Sequence, residues 1–136
     1  KIISQLLKDD GDALIQAITI KDQRYSKAIH SVDFIQKYIF PGSCIPSITA
    51  IQNSLTNTTD LVINDVRDIG HHYARTLADW RKKFLKNKRE IRKLGFDDKF
   101  LRMWLFYFAY CERGFEEKVI SDIHLHITKP GYRNSI

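Results

Sequence analysis

Few residues in this chain have both the type and the spacing to do chemistry. His71-His72 stand together and His124-x-His126 lie two apart, the second pair on one face if the segment is a strand. Either pair suggests a metal, but no carboxylate or third ligand follows at a supporting spacing, so no metal site is expected. Cys44 and Cys111 are far apart, with no C-x-x-C or Cys/His spacing, and read as free buried thiols rather than a disulfide framework. There is no Gly-x-Ser-x-Gly elbow, no His-Glu-x-x-His and no phosphate loop. Hydrolase, metalloprotease and nucleotide-triphosphatase chemistry therefore have no residues to stand on.

Two larger constellations remain. Arg81-Lys82-Lys83, Lys86, Lys88-Arg89 and Arg92-Lys93 crowd cations onto one helical stretch with Glu90 as the opposing charge. Such a run is a solvated helix face, a surface for anionic lipid, or a phosphate-binding surface for nucleic acid. No aromatic stacking motif or groove-reading helix accompanies it, so a nucleic-acid partner is not expected. Trp104, Phe108, Cys111 and Phe115 follow at i, i+4, i+7 and i+11 with Tyr107 at their flank. That stripe is either core packing or the wall of a channel for an apolar chain.

The elements that must position these residues read as an α/β domain. The 136 residues carry a net charge of +6 and 43% hydrophobic residues, enough for a real core. Lys1 to Leu7 reads as the tail of a helix stopped near Gly11, and residues 13–20 as a strand covered on both faces, since its apolar run is nearly continuous. Helical spacing over 26–39 ends at Phe40-Pro41-Gly42. Ser47 is placed to cap a short helix, 61–69 reads as a second strand, and 71–94 as one long helix ended by Gly95. Asp97 or Asp98 then caps a helix to about 118, and the alternating 120–128 segment is the last strand. The longest uncharged apolar run, 103–111, is far short of the roughly 20 residues a membrane span needs. No signal-peptide pattern opens the chain, so it reads as soluble and cytoplasmic.

Several boxes then occur in a fixed order: Leu6-Leu7-Lys8-x-x-Gly11, the Ile18-x-Ile20 strand end, Tyr38-Ile39-Phe40-Pro41-Gly42-x-Cys44-x-Pro46-Ser47, Gly70-x-x-Tyr73-x-x-Thr76-Leu77-x-x-Trp80, and Arg102-Met103-Trp104-x-x-Tyr107. In these the chain resembles the cyclopropane fatty-acyl-phospholipid synthase and mycolic-acid methyltransferase family. The resemblance implies the C-terminal part of a Rossmann-like, S-adenosylmethionine-dependent methyltransferase fold: three strands, the last antiparallel between the other two, with about four to five helices. It implies that residues 1–136 are the C-terminal half of a single methyltransferase domain. The cofactor-binding N-terminal half, with its G-x-G turn, would lie outside the chain, which alone would be inactive.

The activity so implied is transfer of a methylene or methyl group from S-adenosylmethionine to the cis double bond of a phospholipid acyl chain. Water must be kept from the carbocation and a base must remove a proton from the new methyl group. In this family the base is a bound bicarbonate, whose pocket residues fall here on Gln16, Ile18 and Tyr73. Gln16 departs from the histidine of many members; it can still donate to an anion but does not change charge near neutral pH. Trp104, Tyr107, Phe108, Cys111 and Phe115 would line the acyl chain. Implied partners are phospholipid acyl chains at the membrane surface, reached by peripheral association, and a second copy of the chain in a homodimer covering the exposed 13–20 strand edge or the aromatic helix around 104–110. The competing reading is a non-enzymatic basic α/β module that binds nucleic acid or anionic membrane surfaces.

Overall fold

The computed structural model describes residues 1–133. The elements run α1 (Ile2–Leu6), β1 (Asp12–Ile20), α2 (Asp22–Ile29), a π-helical turn (Ile35–Ile39), α3 (Ile48–Thr58), β2 (Val62–Asp68), α4 (Gly70–Lys86), α5 (Lys88–Lys93), α6 (Asp98–Glu116) and β3 (Ile120–Thr128). The mixed α/β class and the three strands follow the sequence reading. Among the described residues the helices are six α and one π rather than four to five, because two predicted helices are split. The described residues resolve into two compact units, residues 1–31 with 44–69 and 121–133, and residues 32–43 with 70–120.

The first unit is built on a sheet of order β1-β3-β2. β3 pairs antiparallel with β2, from Val62 opposite Thr128 to Asp68 opposite Ile123, with a bulge at Asn64. On its other side Asp12 meets His126 and Gln16 meets Asp122, so partners advance in opposite directions and β1 is also antiparallel to β3. The odd-numbered face of β3 supplies the core: Ile123, Leu125 and Ile127 are buried with Leu61, and Leu7, Ala13, Ile15, Ile51 and Leu55 pack around them. The even-numbered face is polar, with Asp122, His124 and His126. β1 alternates in the same way; Leu14 is 65% exposed. The sequence reading of β1 as a strand covered on both faces is therefore corrected. Its apolar run hid a period-two burial in which β3, not β1, is the central strand.

Turn and cap chemistry fixes the rest of this unit. Ser47, buried, accepts from Ala50 N at 3.2 Å and starts α3, while Asp22 Oδ1 accepts from Thr49 N at 3.0 Å. Hydrogen bonds to it from the Ser47 side chain and from the side chain and backbone of Thr49 hold the Asp22 carboxyl below its ordinary range. Lys129 Nζ reaches both Ser4 Oγ and the Asp60 carboxylate. Gly131 is required because a Cβ there would lie 2.5 Å from Asp9 O.

The second unit is helical. Asp33 Oδ1 accepts from Gln36 N while Asp33 N donates to Gln36 Oε1, a capping box that starts a new turn. This reciprocal pair is why the predicted 26–39 helix breaks between Ile29 and Ile35. The turn closes at Pro41-Gly42, with Gly42 at φ +79° and Ser43 N donating to Phe40 O. α4 and α5 are separated at Asn87, whose side chain donates to Lys83 O at 2.8 Å and competes with helix continuation. Asp97 caps α6 by accepting from Phe100 N at 2.8 Å. α4 and α6 pack through Leu77, Leu101, Phe108 and Phe84, and Arg81 pairs through two nitrogens with Glu112.

Candidate active site

In the first unit β1 carries Gln16 and Ile18 two residues apart. Gln16, at the exposed side of the strand, donates from Nε2 to Asp122 Oδ2 at 2.6 Å across the β1–β3 pairing. Asp122 has no exposed surface, and its Oδ1 has no partner among the described residues. Ile18 is half-buried. Further along the same polar face His126 joins Asp12 at 2.8 Å and Asn64 at 3.1 Å, with Tyr132 edge-on to its ring. His126 is thus engaged as a cross-strand group, and no cluster of three or more His, Cys, Asp or Glu among the described residues is arranged to hold a metal.

In the second unit Tyr73 sits in the first turn of the 17-residue α4, at the end where the helix dipole gives partial positive charge. Its half-buried ring lies 4.9 Å from that of Phe115 and 6.2 Å from that of Trp80. The aromatic stripe of α6 is a packed array. Phe108 touches Phe84, Trp104 and Tyr107, and Tyr107 stands edge-on to Phe40 at 6.0 Å. Phe108 and Phe115 are core residues, whereas Trp104, Tyr107 and Cys111 are half-buried. Both cysteines are free, but Cys44 is exposed, which corrects the reading of the two thiols as buried. Burial pushes the Tyr107 hydroxyl up to about 12, with Cys111 one turn away adding to the shift. Burial likewise pushes the Cys111 thiol up to about 11, against a hydrogen bond from Tyr107 that lowers it. Both groups are neutral hydrogen-bonding neighbours at physiological pH, not nucleophiles. On the far side of α6, Phe106 stacks on Tyr110 and meets Phe34 edge-on at 4.7 Å.

The cation run is only partly paired: Arg81 to Glu112, Lys82 to Asp79, Arg92 to Asp98 and Lys93 to Glu90. Lys83, Lys86 and Arg89 are exposed and join no ion pair among the described residues. No helix among those residues is long and apolar enough to cross a membrane. Sequence reasoning singled out Gln16 and missed its partner. The one available signal was an acidic residue inside a strand whose neighbours on both sides are Ile or Ser.

The model of the mycolic acid cyclopropane synthetase family matches residues 1–125. The chain belongs to that family. It is 42% identical over 113 residues to the tuberculostearic acid methyltransferase UfaA1 of Mycobacterium tuberculosis, covering 83% of this chain and 26% of that protein. To the cyclopropane-fatty-acyl-phospholipid synthase of Escherichia coli it is 32% identical over 120 residues, covering 88% of this chain and 29% of the relative. The chain thus spans little more than a quarter of the length of these relatives. Among solved structures, the cyclopropane synthase MmaA2 of Mycobacterium tuberculosis superposes with a TM-score of 0.80 at 22% identity, over 93% of this chain and 47% of the other. The mycolic acid cyclopropane synthase CmaA1, solved with SAH and CTAB, gives 0.79 at 26% identity over 92% and 46%. The fold is that of the C-terminal part of these methyltransferases.

Proposed function

We propose that this chain forms part of an enzyme that transfers a methylene or methyl group from S-adenosylmethionine to the cis double bond of a phospholipid acyl chain. What supports the reading is the family match over residues 1–125, with relatives named for fatty-acid methylation and cyclopropanation. Bound S-adenosylmethionine would supply the electrophilic methyl group. No residue of this chain is assigned to hold it, since the sequence has no Gly-rich strand-to-helix turn. On that ground the chain alone is proposed to be inactive and the activity to belong to a longer polypeptide.

The chain's own contribution is proton handling and exclusion of water. The donor chemistry at Gln16 fits a small anion: Nε2 uses one N–H on Asp122 and keeps a second, and the side chain is neutral at every working pH. Gln16, the backbone N–H of Ile18 and the hydroxyl of Tyr73 are proposed to hold a bicarbonate-type base, whose chemistry is removal of a proton from the transferred methyl group. Trp104, Tyr107 and Cys111 are proposed to contact the acyl chain, with Phe108 and Phe115 behind them as the packed support. The unpaired Lys83, Lys86 and Arg89 suit peripheral attraction to anionic lipid headgroups. A second copy of the chain is the proposed partner for the outer edge of β1. Incubating the enzyme containing this chain with S-adenosylmethionine and unsaturated phospholipid vesicles tests the reading. Acyl chains one methylene heavier support it, and nucleic-acid binding with untouched lipid sinks it.

A further inference from the structure

Asp122 is a buried carboxylate that none of the chemistry above uses. It lies on the polar face of the central strand, behind an apolar face of Ile123, Leu125 and Ile127. Its residue has no exposed surface, Oδ1 is unpartnered among the described residues, and Oδ2 accepts from Gln16 Nε2 at 2.6 Å. An unsatisfied oxygen in such a place works against stability, and an apolar residue would serve simple strand packing better. Among the described residues the one bond its carboxylate makes is to Gln16, and Gln16 makes no other side-chain hydrogen bond.

We infer that Asp122 is a positioning residue for Gln16: across the β1–β3 pairing, its buried carboxylate holds the carboxamide in the single orientation that presents Nε2 rather than Oε1. A free carboxamide has two orientations, related by a half-turn, that are nearly equal in shape and opposite in hydrogen-bonding sense. A carboxylate only accepts, so one of the two makes the bond and the other sets oxygen against oxygen. The bond is short and charge-assisted, which suits orientation more than bulk stability. The second N–H of Nε2 is then always available as a donor, and the side chain cannot invert to offer an acceptor there. This inference rests on the reading that Gln16 takes part in the transfer.

The test uses the complete enzyme that carries this chain, with Asp122→Asn, Gln16→Ala and the double variant. Asparagine keeps the shape but donates as well as accepts, so both carboxamide orientations become satisfied. Asp122→Asn is expected to lower kcat by about 10- to 100-fold, the scale of a misplaced group, with KM for the lipid nearly unchanged. The double variant is expected to be no slower than Gln16→Ala alone, since Asp122 acts through Gln16. Independently of activity, the side-chain carboxamide resonance of Gln16, assigned by its loss in Gln16→Ala, is expected to shift in Asp122→Asn. Should that variant not fold, Asp122→Ser, whose hydroxyl carries no charge and donates as well as accepts, takes its place with the same expectations. Normal turnover in Asp122→Asn beside a slow Gln16→Ala overturns the inference. So do multiplying losses in the double variant or an unmoved Gln16 resonance. A fully active Gln16→Ala overturns the reading of Gln16 itself, while the resonance still decides whether Asp122 positions the carboxamide.

Discussion

Truncating Phe108 to alanine separates two roles for the α6 stripe, core and channel wall. Phe108 is 6% exposed and its ring meets Phe84 at 5.5 Å, Tyr107 at 5.5 Å and Trp104 at 5.8 Å. Removing a buried ring costs its transfer free energy and leaves a cavity, about 3–5 kcal/mol together. Phe106, on the opposite side of the same helix, is 53% exposed and among the described residues has ring contacts to Phe34 and Tyr110 alone. Its loss removes about half of a phenylalanine's burial and part of two ring contacts, about 1–2 kcal/mol. In urea, with a slope of about 2 kcal/mol per molar, the midpoint should fall by about 1.5–2.5 M for Phe108→Ala and by about 0.5–1 M for Phe106→Ala. Circular dichroism at equilibrium reads both midpoints. Equal shifts would refute the burial argument. A stable Phe108→Ala whose KM for lipid alone rises would make Phe108 a wall of the acyl site rather than its packed support.

In the complete enzyme, Tyr73→Phe should reduce turnover on unsaturated phospholipid by several-fold to about a few hundred-fold, the range for loss of one anion-holding donor; unchanged turnover removes Tyr73 from the mechanism. An aromatic disulfide reagent near pH 8 should modify exposed Cys44 and leave Cys111 intact, because burial has raised the Cys111 thiol to about 11; peptide mapping that finds Cys111 labelled first contradicts this. Hydrogen bonds from Ser4 and Lys129 hold the Asp60 carboxyl below its ordinary 3.8. The folded chain therefore binds that proton less readily than the unfolded one, so the pairing's contribution is present above about pH 4 and is lost as pH falls through the lower folded value. Asp60→Asn should flatten that limb of an acid-unfolding curve, and an identical limb would show that the pairing does not couple to folding.

What the sequence made legible was mostly local. The alternation of Ile120–Thr128 marks β3 to its ends, and Ser47 and Asp97 cap the helices they were expected to cap, because caps and period-two burial depend on neighbours within a few residues. Two predicted helices break for equally local reasons that override the apolar spacing: the Asp33–Gln36 capping box and the Asn87 side chain bonding to Lys83 O. β1 was misread in burial because Leu14, though apolar, faces outward, and a continuous apolar run gives no phase. Asp122 was out of reach because its meaning lies in Gln16, 106 residues away, and in a sheet order that no spacing displays. Gln16, Ile18 and Tyr73 were located by resemblance; their residue types alone would not have distinguished them from ordinary strand and helix positions.

The central claim is acyl-chain methylation by the enzyme that contains this chain, and mass analysis of its lipid product tests it most directly. Vesicles of cis-monounsaturated anionic phospholipid are incubated with the enzyme and S-adenosylmethionine carrying a deuterated methyl group, and the released fatty acids are weighed. The account predicts acids one labelled methylene heavier, formed from unsaturated chains and not from saturated ones. Consumption of the donor with no label in any acyl chain, or equal labelling of saturated chains, would contradict it.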